Sequence, residues 1–221
     1  MNAQKGVNAM TDIGTPELIE HLGEVEVAVE RLKTLLNPHH YPDDLRTLIL
    51  AGTIDQLIEH HAAVLLLVRS EKVGSAFALS RSIIEGMYRG LWLNFCATND
   101  EVKTFEREDK LPLKMNSIAA AIDEKYRAEE FFDDLRKRAW PALCSYAHTG
   151  MLQLGRRFTG NQLRPSYREA EIYEVTTAAT TALLTLASKF LAVQKFPEAS
   201  KEVERLIESY GPASRRPRVG Q

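Results

Sequence analysis

GSAFALSRSIIEGMYRGLWL, residues 74–93, decides how this chain folds. Its small and apolar residues run almost all the way round a helical wheel, as they do in a helix surrounded by protein. Within it Arg81, Glu85 and Arg89 recur every fourth residue and so share one face. Charges are seldom buried unless they are paired or used. The stretch therefore predicts a buried helix with a polar seam, and the seam is the first place to look for chemistry.

Helical periodicity continues on both sides. A long helix is predicted over 43–70, and the short break at 71–74 makes it the antiparallel neighbour of the next helix, over 75–97. Thr15 and Pro16 supply an N-cap and a first-turn proline for a helix that stops at Asn37-Pro38. Downstream, Thr98 and Glu101 have capping-box spacing and open a short charged helix. Pro112 separates it from a helix over 114–126. A further helix over 129–138 is expected to end, kink or restart at Pro141, with its successor over 143–154 and a loop over 155–165. Ser166 and Glu169 form a second capping-box pattern, opening the last long helix to about 194. Pro197 then starts a final short helix to about 210. No strand alternation and no Asn-Gly hairpin is visible. The predicted architecture is an all-α bundle of about four long helices plus shorter ones, in one domain over 15–210. Residues 1–14 read as a disordered N-terminus and 211–221 as a flexible basic tail carrying Arg215, Arg216 and Arg218.

Composition narrows the class. The 28 Lys and Arg against 30 Asp and Glu give a formal net charge of -2, so no whole-protein attraction to nucleic acid is expected, only a local basic patch. The two cysteines, Cys96 and Cys144, lie in apolar helical segments and read as free thiols. There is no Cys-x-x-Cys pair, and His60-His61 has no suitably spaced partner, so no metal or other cofactor is expected. The first 14 residues lack an apolar signal core, and the longest apolar run, 62–68, is too short to span a bilayer. A cytoplasmic protein without a membrane segment is expected.

Three clusters carry candidate chemistry. In the seam, Glu85 between two guanidiniums satisfies itself as an ion-pair ladder; alternatively Arg81 or Arg89 presents a forked donor to an anion. The second cluster is Ser145 and His148, three residues apart on one helix face. Their plain reading is an intrahelical hydrogen bond; their functional reading is His148 as general base or acid, with Ser145 orienting it. No Gly-x-Ser-x-Gly elbow is present, so a hydrolase triad is not supported. The third cluster is Arg156, Arg157 and Arg164, three arginines in nine residues with no acid among them, beside an expected helix start. That is either a solvated loop or a phosphate-binding patch. Separately, the run 176–182, made of Thr and Ala alone, gives a slim helix face for close approach of another helix, within the bundle or across a dimer.

The segment 74–93 together with His148-Thr149-Gly150 and Arg156-Arg157-Phe158-Thr159-Gly160 resembles an uncharacterised bacterial family known only as a domain of unknown function. More distantly it is similar to HEPN-type helical domains (higher eukaryotes and prokaryotes nucleotide-binding). The resemblance spans about residues 45 to 195. It implies a homodimer in a bacterial defence or toxin-type system, with metal-independent RNA cleavage or nucleotide binding. The usual arginine four to six residues before the histidine is missing: 142–144 read Ala-Leu-Cys, and Arg138 lies ten residues upstream of His148. Arg81, from another helix, is then expected to stand in for it, with Arg156 and Arg157 on the phosphate. The competing expectation is a non-catalytic interaction or oligomerisation module that binds a protein partner through its slim helix.

Overall fold

The computed structural model describes residues 14–210, so the two segments read as flexible, 1–14 and 211–221, lie outside the described residues except for Gly14. The chain forms α1 (Pro16–Leu36), α2 (Leu45–Arg69), α3 (Val73–Phe95), α4 (Asn99–Glu108), α5 (Met115–Tyr126), α6 (Phe131–Ala147), α7 (Met151–Gly155), α8 (Glu169–Val193) and α9 (Pro197–Tyr210). A two-residue antiparallel hairpin, β1 (Phe158–Thr159) and β2 (Gln162–Leu163), lies between α7 and α8. The fold is all-α.

Local chemistry places most helix starts. Thr15 caps α1 with Pro16 in its first turn, and Asp44 caps α2 by accepting from Thr47 N–H at 3.1 Å. Thr98 and Glu101 form the expected capping box of α4: Thr98 N–H reaches Glu101 at 2.7 Å, and Glu101 N–H reaches the Thr98 hydroxyl at 3.3 Å.

α2 and α3 form the expected hairpin, and α8 closes over it, touching α1, α2, α3 and α9. The core lies where these meet, around Leu50, Ile54, Leu65, Phe77, Ile83, Leu91, Leu183 and Phe190, each at most 2% exposed. α8 is the one helix among the described residues long and apolar enough to cross a membrane, a stretch missed when only uninterrupted apolar runs are counted. Its mean hydropathy of 1.3 belongs to a core helix here, since 61% of that window is buried inside the bundle. The slim Thr/Ala face is likewise used internally. Thr176 donates to the Ile172 carbonyl, so its oxygen accepts from His21 Nε2 of α1 at 2.9 Å. Thr180 donates to the Thr176 carbonyl and accepts from His61 Nε2 of α2 at 2.8 Å. Packing within the bundle is thus one of the two uses expected of this face, and Thr176 and Thr180 serve it.

Three boundaries differ from expectation. Pro141 neither ends nor restarts a helix: α6 runs through it. The proline withholds one N–H from the ladder, but it sits on the exposed side, and α6 is held by packing on α3 and α5. The start of α8 is Glu169, with Glu171 reaching back to the Arg168 N–H at 3.0 Å, so Ser166 is not its cap. The loop after α7 contains the hairpin, turned by Gly160 at φ 58° and Asn161.

Candidate functional site

The seam of α3 joins three charged side chains on one helix face. Glu85 takes Arg89 Nη2 on one oxygen at 2.5 Å and Arg81 Nε on the other at 3.3 Å. The side chains of Arg81 and Glu85 are 17% and 20% exposed, against 42% for Arg89. Arg81 is therefore held by its own helix along one edge, while the rest of its guanidinium points at α6.

There Arg81 meets three groups. Its carbon lies 4.8 Å from the centre of the Trp140 ring, a cation–π stack. Its Nη1 donates to Cys144 Sγ at 3.2 Å and lies 2.8 Å from His148 Nε2. Arginine has donors only, so Nε2 accepts and the imidazole is neutral with its proton on Nδ1. Trp140, Cys144 and His148 recur every fourth residue, which puts all three on the α6 face toward Arg81. His148 itself is exposed, because α6 ends at Ala147 and the chain turns away through Thr149, at φ 54°.

The position of α6 is fixed at its other end by Asp123 of α5, a residue to which the sequence reading gave no role. Its buried carboxylate accepts from the N–H groups of Phe132 at 2.8 Å and Asp133 at 2.9 Å, satisfying two unpaired donors at the helix start. Tyr88 of α3 adds a bond from its hydroxyl to the Phe132 carbonyl at 2.8 Å. Burial pushes the Tyr88 phenol well above its usual range, with the nearby Asp123 carboxylate adding to the shift, so it stays a donor.

The remaining candidates lie elsewhere. Ser145 does not bond His148. Its oxygen accepts from Leu152 N–H at 3.0 Å, and its carbonyl from Gly150 N–H at 2.7 Å, so it shapes the turn into α7. The helix ends between the two residues and sends their side chains apart. Arg156 pairs with Glu171 of α8, to which Arg168 also bonds at 3.0 Å. The acid missing from the local sequence is thus supplied by the next helix. Arg157 and Arg164 are exposed, Arg157 near the Tyr167 hydroxyl, whose proton affinity burial raises and Arg157 partly offsets. Tyr167 stacks edge-on to Phe77 at 5.4 Å, and its hydroxyl fills the space that a side chain at Gly74 would need. Gln153 donates to the Gly74 carbonyl at 3.3 Å. The arginine-rich segment is therefore docked at the start of α3, about 10 Å along the axis from Arg81 at 1.5 Å per residue. Arg81 and His148 come together; Arg156, Arg157 and Arg164 do not join them.

Among the described residues no group of three or more His, Cys, Asp or Glu side chains is placed to hold a metal ion. What the site offers is a fixed guanidinium, a neutral imidazole with its lone pair on that guanidinium, a thiol and an indole. Such a set suits binding of an anion next to a proton acceptor. No curated protein and no solved structure matches the chain. A family model does match over residues 55–215, which include all of α3, α6 and the Arg81–His148 pair, and on that match the chain belongs to DUF6988, a family of unknown function.

Proposed function

We propose that the chain is a HEPN-like, metal-independent ribonuclease whose reacting groups are Arg81 and His148. The observation that carries this reading is the 2.8 Å contact between Arg81 Nη1 and His148 Nε2, made across two helices by residues 67 apart in sequence. In this reading Arg81 takes the part of the missing upstream arginine of such domains.

The chemistry follows from the bonds. With no anion bound, Arg81 occupies the imidazole lone pair. A phosphodiester draws the guanidinium to its own oxygens, because a charged acceptor bonds it more strongly than a neutral one. Nε2 is then open and takes the proton of the ribose 2′-hydroxyl. The 2′-oxygen bonds to phosphorus and the bond to the 5′-oxygen breaks. The leaving oxygen recovers its proton from the imidazolium or from water, and a 2′,3′-cyclic phosphate remains. Arg81 stabilises the charge that builds on the non-bridging oxygens, held in place by Glu85 and Trp140.

The test is turnover of single-stranded RNA in EDTA by wild type, His148→Ala and Arg81→Lys. Cleavage by the wild type to a cyclic phosphate, lost in His148→Ala and blocked by a 2′-deoxy linkage, is the expected result. Equal activity in wild type and His148→Ala, or none in either, overturns the reading.

A further inference from the structure

The polar seam of α3 does not end at Arg81. Two helical turns further on, about 12 Å along the axis, Arg89 opens into a groove of about 350 Å³ between α3, α6 and the segment joining α4 to α5. This volume is at the lower end of the range for small-molecule sites, about 300–1,000 Å³.

The lining says what fits. Trp140 forms one side, with Leu113, Met115 and Ile118 adding apolar surface. Around them stand two cations, Arg89 and Lys110, and two carboxylates, Glu85 and Asp109. A bare anion has no use for the apolar surface and meets Asp109 as a repulsion. A purely apolar ligand makes no use of Lys110 or of the unpartnered Nε of Arg89. A flat ligand with apolar faces, an edge carrying both donors and acceptors, and one phosphate matches every component. Arg89 also keeps a donor in hand: its Nε is buried and has no hydrogen-bond partner, while its Nη2 holds Glu85.

Trp140 and Glu85 belong to this groove and to the Arg81 cluster alike: the indole carries Arg81 on its ring, and the carboxylate bonds both arginines. We propose that the groove is a nucleotide subsite, with the base lying against Trp140 and Leu113 and the phosphate held by Arg89 and Lys110. Stacking on an aromatic ring tolerates any base, so the fit is to an unpaired nucleotide of a single strand rather than to a duplex. The placement of that nucleotide beside a scissile linkage rests on the ribonuclease reading; the binding itself rests on the groove alone.

Tryptophan fluorescence of the full chain tests it. The sequence has only two tryptophans, and Trp92 is 2% exposed, so a ligand in the groove is reported by Trp140. The probes are AMP, GMP, CMP and UMP, with ribose 5-phosphate as the ligand lacking a base. Saturable quenching by the nucleotides, at least about tenfold weaker with ribose 5-phosphate, is expected. Leu113 is 38% exposed, so Leu113→Glu should fold normally by circular dichroism and weaken nucleotide binding by at least about tenfold. No quenching by any nucleotide, equal binding of ribose 5-phosphate, or unchanged binding in folded Leu113→Glu each overturns the subsite. Nucleotide binding by a chain that cuts no RNA keeps the subsite and removes the ribonuclease; RNA cleavage without nucleotide binding does the reverse.

Discussion

Arg81 is the residue on which most of the polar chemistry turns, and its guanidinium cannot be exchanged for an ammonium. The planar fork reaches Glu85 from Nε and both Cys144 and His148 from Nη1, while its face lies over Trp140. Lysine has one nitrogen and no flat face. Arg81→Lys should therefore lower RNA turnover by at least about 10²-fold while melting within a few degrees of wild type. The ladder gives a second test, on stability. Glu85→Leu alone leaves two guanidiniums facing each other without their carboxylate and should destabilise by about 1–3 kcal/mol in urea. Replacing all three, as Arg81→Met with Glu85→Leu and Arg89→Met, should destabilise less than that single change, because no charge is stranded. A triple variant less stable than Glu85→Leu would mean that the ladder itself favours folding. The seam was legible in sequence because fourth-residue spacing on one helix needs no tertiary knowledge. The partner of Arg81 was legible only as an expectation, since His148 belongs to another helix. Trp140 and the groove beside it, and Asp123 at the start of α6, were not legible at all, because their roles depend on how α5 and α6 pack on α3.

At the scale of the helices, two glycines of α3 set how closely its neighbours approach. A side-chain carbon at Gly90 would stand 2.7 Å from the Leu186 methyl groups of α8, and one at Gly86 would stand 2.6 Å from a Leu57 methyl of α2. Gly90→Val should destabilise by about 1–3 kcal/mol, and Gly90→Ala by less, since a flexible leucine can yield to one methyl. Gly52 of α2 has nothing near its missing side chain, so Gly52→Ala should stabilise by about 0.5–1 kcal/mol; urea melts of the three variants check the contrast. Element boundaries were readable where local chemistry sets them, as at Thr15 and Thr98. They were misread where packing overrides it. Pro141 ordinarily interrupts a helix, yet α6 is clamped on α3 and α5 on either side of it. Ser166 has the spacing of a cap, yet its N–H bonds the Arg156 carbonyl and no helix begins before Glu169, while Tyr167 reaches Gly74. The two-residue strands of the hairpin are too short to show any alternation, and only Gly160-Asn161 marked the turn.

Across the whole molecule, α1 and α2 are fastened to α8 by buried histidines, and this makes stability depend on pH. Burial pushes the His61 imidazole down to about 4, with Glu26 offsetting part of the effect. The folded state therefore binds this proton less readily than the unfolded chain, whose histidine titrates near 6.5. Above about 6.5 both states are neutral at this site and stability does not change with pH. As pH falls from about 6.5 toward 4, only the unfolded state gains the proton, so about 3 kcal/mol of stability is lost across that window. Denaturant melts at pH 7.5, 6 and 5 should show the decline, and His61→Gln should be less stable at neutral pH but flatter with pH. An equally steep decline in His61→Gln would place the acid sensitivity elsewhere. The same arrangement governs how the chain comes to be folded. α8 lies at the middle of the bundle, yet it is among the last helices in sequence: Thr176 meets His21 across 155 residues, and Glu169 bonds Thr15 across 154. During synthesis α2 and α3 can pair early, because their contacts are local. The face they offer to α8 has no cover until residue 193 has left the ribosome, and α1 waits as long for its partner. The α2–α3 hairpin is thus made well before the helix that covers it, and until α8 emerges its apolar face stays open to chaperones and to aggregation.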